Sequence, residues 1–181
     1  MNLFHQRAGN VMTLTPTGNV GVGVMEPAAR LHVAGTARVA VLEITGADVA
    51  EPFAVADTAE PGDVMVIDED HPGRLKVSHA MYDRKVAGIA SGAGGLAPGV
   101  VLGATDDAIG GVRVALSGRA WCKADARSNP IAPGDLLTTA DSLGHAMKAV
   151  DEQAARGAIL GKAMSRLDAG QGLVLALVNL Q

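Results

Sequence analysis

Aromatic residues are nearly missing: one tryptophan, one tyrosine and two phenylalanines make up 2% of the 181 residues. A chain so poor in rings offers little of the aromatic platform that sugar or base stacking favours. Cysteine occurs once, as Cys122. No intrachain disulfide can therefore form, and the thiol beside Trp121 reads as a packing residue, not a nucleophile. No apolar run approaches the ~18 residues of a membrane span. The opening MNLFHQRAGN lacks the basic-then-apolar plan of a secretory leader, so export would need another route or a longer parent chain. Basic stripes are absent as well, and 15 Lys and Arg against 19 Asp and Glu leave a net charge of -4. That balance argues against a nucleic-acid or anionic-membrane surface. Long amphipathic periodicity is missing too; the best helical candidate, Asp151–Arg156, is too short to stand alone.

What is present is glycine, 23 residues of it, in a chain that is 48% hydrophobic with alanine and valine prominent. Side chains this small suit tight turns and backbones that approach closely. Short β-branched runs bounded by Gly, Pro or Asp predict strands at Val11–Thr15, Val39–Thr45, Val64–Ile67, Leu75–Ser78, Val112–Leu116 and Leu173–Val178. The expected fold class is all-β.

An internal repeat emerges when the turns are aligned. PGDVMVID at Pro61–Asp68 returns as PGDLLTTA at Pro133–Ala140. Each is followed by a turn glycine (Gly73, Gly144), an apolar-lysine pair (Leu75-Lys76, Met147-Lys148), VAGIA or ILGKA, and a closing strand. The copies span about 61–117 and 133–181, the first being longer by the SGAGGLAPG stretch. In each PGD, proline fixes φ, glycine takes a positive φ and aspartate bonds the backbone beyond the turn, which is structural chemistry.

Gly18–Val33 reads GNVGVGVMEPAARLHV. It resembles the GNVGIGT-x-x-P-x-A-x-LHV segment of phage tail fibres, collagen-like bacterial surface proteins and trimeric adhesive fibres. Gly18 to Gly23 match its glycine-rich half, and Pro27, Ala29, Leu31, His32 and Val33 its second half. The resemblance implies a short intertwined β-stalk of three chains, with Val20, Val22, Leu31 and Val33 in a shared core. Such a glycine-rich strand buries too little apolar area to be stable alone. From Gly46, GADVAEPF and EPGDVMVID are similar to the heads that follow such stalks, including those related to the G2 peptidase family of self-cleaving fibre chaperones. The expected organisation is a stalk at 1–45 and a β-sandwich or β-barrel-like head of two similar lobes at 46–181.

The five histidines and several serines do not assemble a catalytic pattern. His32 has no HxH partner for metal ligation. His71 sits among Asp68, Glu69 and Asp70 before Pro72-Gly73, which reads as an acidic hairpin tip without EF-hand spacing. Ser78 and His79 are adjacent and would point to opposite faces of a strand, while Ser142 and His145 lack a located acid and oxyanion hole. SGAGGLAPG lacks the Lys-Ser/Thr of a phosphate loop. No catalysis, metal or cofactor is expected. The implied function is that of a trimeric fibre tip or adhesin head on an extracellular fibre, holding trimer register and attaching to a glycan or protein of a host or prey surface. Recognition would fall to the loops Gly92–Pro98, Thr105–Gly110 and Ala124–Asn129, with Gly94, Gly95, Asp106, Asp107, Arg127, Ser128 and Asn129 as candidates. The alternatives are a self-cleaving fibre-maturation domain and a capsid-decoration-like structural protein, the latter because PGD-strand-turn-strand units resemble phage head-decoration modules.

Overall fold

A computed structural model describes residues 2–5, 9–103 and 111–180, with side chains described from Val11 onward. The chain is nearly all β, and among the described residues there is no α-helix. It divides into two compact units, Met1–Glu43 and Ile44–Gln181.

The first unit is a four-stranded sheet of β1 (Asn2–His5), β2 (Gly9–Leu14), β3 (Val20–Val22) and β4 (Leu31–Val33) in sequence order. The first three strands run antiparallel, and β4 lies parallel to β3. Its glycine motif has a local cause. Gly18, at φ +82°, closes a turn in which its amide donates to Thr15 O at 3.0 Å and the Asn19 amide to Thr15 Oγ1 at 3.0 Å. A Cβ on Gly21 would stand 2.4 Å from Val24 O, so that position takes no side chain. The Asn19 side chain then donates to Pro27 O and Arg30 Nη1 to Thr17 O, tying the connection back onto the turn. Few side chains in the unit are buried, Thr13 and Pro27 among them.

The expected strand at Val39–Thr45 is not formed. The segment pairs with no other strand among the described residues, and Val41 is 88% exposed. The sequence has strand propensity, but a strand needs a ladder, and the single chain supplies no partner for this one. Asp151–Arg156 forms one turn, closed by the Ala155 amide on Asp151 O and capped by Asp151 Oδ1.

The second unit holds β5 (Asp48–Phe53), β6 (Val64–Ile67), β7 (Leu75–Val77), β8 (Val86–Ala90), β9 (Val100–Val101), β10 (Val112–Asp125), β11 (Leu136–Thr139), β12 (Ala146–Lys148), β13 (Ile159–Ala163) and β14 (Gln171–Val178). Strands β10, β14, β13, β11 and β12 close a five-stranded barrel, because β12 returns to β10 through a parallel pairing of Ala124 with Ala146. The preceding strands follow the same plan. β10, β8, β6 and β7 are neighbours in order, β5 pairs with β10, and a parallel bridge from Val55 to Leu75 joins the two ends. The 14-residue β10 is shared: its first half serves the first ring and its second half the other.

Matching bulges enforce this shape. Register slips between Met65 and Val66 in β6–β8, and between Leu137 and Thr138 in β11–β13. Opposite these slips sit Gly88 (φ +156°) and Gly161 (φ +157°), where a Cβ would stand 2.3 Å from Ala115 O and 2.1 Å from Leu177 O. A bulge bends a strand and sharpens its twist, which lets so few strands close. The larger core packs Leu137, Leu160, Ile131 and Val174 of the second ring against Val64 and Ile89 of the first. Met65, Leu75, Val77, Ala90 and Val114 form the smaller core of the first ring. Cys122 is fully buried within the larger cluster, and burial pushes its thiol up to about 12.

Candidate binding site

A dense polar cluster of the second unit starts from the end of β10. Asp125 lies there with 8% exposure, and its carboxylate gathers a set of donors. The Arg127 amide reaches Oδ1 at 2.9 Å, and the Arg127 guanidinium grips both oxygens through Nε at 3.0 and 2.9 Å, adding Nη2 on Oδ2. Ser142 Oγ donates to Oδ2 at 2.6 Å while accepting from Arg127 Nη2, and Gln171 Nε2 adds a bond at 3.1 Å. The guanidinium, opposed by burial and helped by Ser142, holds the Asp125 carboxyl well below the usual carboxylate range. The same pairing raises Arg127 above its ordinary value. Chain order brings these groups together because Ser142 is in the β11–β12 turn and Gln171 begins β14, both neighbours of Asp125 across the closed ring.

Beside this cluster is a cavity of about 380 Å³ lined by Asp125, Arg127, Ser128, Asn129, Asp141 and Lys148, with Met81 and Met147 as apolar wall. Lys148 pairs with Asp135 Oδ2 at 2.9 Å, and Asp135 is held low first by the Ala132 amide and then by that lysine. Met81 is contributed by the first ring. It precedes Tyr82, a non-glycine residue at φ +53°, a conformation that costs about 1 kcal/mol and must be held in place. Holding comes from the Tyr82 amide on Thr139 O, the Asp83 amide on Thr139 Oγ1 at 2.8 Å, and the Tyr82 phenol oxygen, which accepts from the Val150 and Asp151 amides.

A second, open hollow of about 520 Å³ is lined by Pro61, Gly94, Lys123, His145, Gln171 and Leu173 among others. Gln171 therefore links it to Asp125. Lys123 bonds Asp63 at 2.8 Å and Glu60 at 2.7 Å; burial opposes its charge, yet these bonds raise it. Gly94 lies so close on the Trp121 ring that a Cβ would stand 2.4 Å from Cδ1.

No family model matches this chain, and no curated protein matches it in sequence.

The recognition candidates thus separate. Arg127, Ser128 and Asn129 line one cavity, Gly94 lines the other hollow, Gly95 is exposed in the same single 3₁₀ turn, and Asp106 and Asp107 lie outside the described residues. In the first unit, Val20 pairs with Leu31 and Val22 with Val33, which sets all four on one face of β3–β4. Val22 is 37% and Leu31 63% exposed. Ser78 is buried and His79 exposed, so they do not pair; His145 bonds Leu143 O, and Ser142 faces Asp125 instead. His32 Nδ1 accepts from the Ala28 amide, and His71 Nδ1 lies 2.8 Å from Asp68 Oδ2. Among the described residues no three His, Cys, Asp or Glu are placed to hold a metal, and no helix is long and apolar enough to cross a membrane. The convergence of Ser142 and Gln171 on Asp125, itself inside the predicted loop Ala124–Asn129, escaped sequence reasoning because the three are far apart in the chain. The available signal was the longer insert before the second PGD, seven residues from Ala126 to Ala132 where the first copy has four after Ala56.

Proposed function

We propose that the protein is a trimeric fibre tip or attachment head. The first unit holds three chains in register, and the second presents its loops to a surface component of a host or prey cell. The observation that carries this reading is the state of the first unit in a single chain. Leu31, Val39, Val41 and Leu42 are each 60% exposed or more, and the β-prone segment Val39–Thr45 has no partner strand among the described residues. Apolar side chains exposed in such density on so small a unit are covered when other chains add strands and side chains. The double-barrel unit has its own cores, which suits a rigid platform for loops.

Light scattering tests it on the full chain and on a chain beginning at Gly46. A trimer that becomes monomeric on truncation is the expected result. Val22→Asp and Leu31→Asp are each expected to dissociate the full-length trimer, since each would put three like charges near one axis. A monomeric full-length protein overturns the reading.

A further inference from the structure

We propose that the cavity between Arg127, Asn129, Asp141 and Met81 binds a neutral, hydroxyl-rich ring of the size of one hexose, the terminal sugar of an uncharged glycan. The biological meaning of this site rests on the attachment reading above; its chemistry rests on the cavity alone. A volume of about 380 Å³ falls in the range of small-molecule sites and suits one sugar ring with part of its neighbour.

The charges of the lining decide the ligand class. Arg127 is bound to Asp125 and Lys148 to Asp135, so both cations already carry a carboxylate. With Asp141 in the lining, and Asp135 holding Lys148 from outside it, three acids face two bases, and a carboxylate or phosphate ligand would find no uncompensated cation. What the paired groups leave over is hydrogen-bonding capacity. Arg127 spends Nε and Nη2 on Asp125 and Ser142, while Nη1 meets no acceptor among the described residues. Ser128 and Asn129 each offer donor and acceptor, and Asp141 offers acceptors. Hydroxyl groups, which donate and accept at once, match this mixture. The Met81 and Met147 side chains supply an adaptable apolar wall for the C–H face of a ring.

The site is also pre-organised. Asp125 is saturated and buried, which fixes the guanidinium edge, and the bonds around Tyr82 fix the backbone that carries Met81. Without an aromatic platform the affinity per site is expected to be weak, on the order of 1 mM.

The test uses full-length protein labelled on methionine methyl groups, titrated with the methyl glycosides of glucose, galactose, mannose and N-acetylglucosamine. Glucuronate and ethanolamine serve as charged probes. A saturable shift of the Met81 and Met147 signals with at least one neutral glycoside is expected. Binding is expected to weaken at least about tenfold in the Ser128→Ala, Asn129→Ala double variant. Ser128 is exposed and Asn129 half-buried, and unchanged methionine signals elsewhere establish that the variant folds. The proposal is overturned by no shift with any of the four glycosides, by equal or stronger binding of either charged probe, or by undiminished binding in the double variant. Light scattering on the same samples separates the two readings. A monomer that binds a glycoside removes the trimeric fibre and leaves the site, whereas a trimer that binds none removes the site and leaves the fibre.

Discussion

Ala56 and Asp125 stand at the same place in two halves of the second unit. Each follows the residue that makes the parallel closing bridge of its ring, Val55 with Leu75 in one and Ala124 with Ala146 in the other. Around them the halves agree in strand order, bulge position and turn chemistry. Asp63 Oδ2 accepts the Glu60 amide at 2.7 Å, and Asp135 Oδ2 accepts the Ala132 amide at 2.8 Å. Yet Ala56 is exposed with nothing to hold, while Asp125 is buried under four donor groups. The shared features are those that close a small barrel, and the differing ones build a cavity. Ring closure and the polar cluster therefore occupy separate residues, so the second half carries a polar cavity while keeping the glycines that shape its ring.

The comparison breaks most sharply at the bulge glycines. Gly161→Ala would place a Cβ 2.1 Å from Leu177 O, and Gly88→Ala one 2.3 Å from Ala115 O. Both sit where backbone faces backbone, so the strand itself must move. Each is expected to cost about 3 kcal/mol or more, read by denaturant unfolding. Near-equal losses would mark the rings as equivalent. A mild effect in one would mean that its bulge is not needed for closure.

Next in size is Asp125→Ala, which strips the acceptor from Arg127, Ser142 and Gln171 together. A loss of about 2–3 kcal/mol is expected. The converse change, Ala56→Asp, falls on an exposed position and is expected to stay within about 0.5 kcal/mol. If the two substitutions cost alike, the Asp125 network is not the distinguishing feature of the second ring.

The plan of the second unit was legible because its signals are local. Pro, Gly and Asp in PGD, and the β-branched runs after them, announce the hairpins wherever they fall, and the strands at Val64–Ile67 and Leu173–Val178 are where those runs lie. Register was less legible. Aligning Lys76 with Lys148 is natural in sequence, but pairing of Met65 with Val77 and of Leu137 with Lys148 shows Val77 at the matching place. The first turn is longer by one residue, and one residue reverses the face of a strand. Lys76 instead bonds Glu69 at 2.6 Å, and Lys123 of β10 reaches Asp63 as Lys148 reaches Asp135. The ring closures and the Asp125 cluster were illegible for a different reason: they join residues whose proximity exists only once the sheet has curled. Val39–Thr45 shows the limit from the other side, where propensity without a partner yields no strand.

Two carboxyls give the halves opposite pH behaviour. Asp48, at the start of β5, is 4% exposed; its Oδ1 has no partner among the described residues, and burial raises it despite the Ser91 bond at 2.7 Å. A raised carboxyl penalises the fold above its folded value, and the penalty fades as pH falls toward the unfolded value of about 3.9. Asp125 is depressed, so its contribution is intact above about 3.9 and is lost only as pH drops through its lower folded value. Asp48→Asn is therefore expected to raise the melting temperature at neutral pH, by about 1 kcal/mol in stability, and to lose that advantage in mild acid. Asp125→Asn is expected to be destabilising at neutral pH and to converge with the native protein only in strong acid. Parallel profiles for the two variants would contradict the opposite environments.

The smallest effects belong to the lysines that serve the two PGD turns. Lys123→Met leaves Asp63, 7% exposed, without its cation, and Lys148→Met does the same to Asp135, which is 21% exposed. Water can replace a lost partner better at the more open site, so about 1 kcal/mol is expected for the first and about 0.5 for the second. Added salt should widen the difference, because the more exposed pair is screened first. Lys148 also lines the cavity, whereas Lys123 does not. A glycoside titration on both variants then separates the roles: weakened binding in Lys148→Met alone assigns ligand contact to the second ring, and equal weakening in both would mean that turn stability, not contact, governs the site.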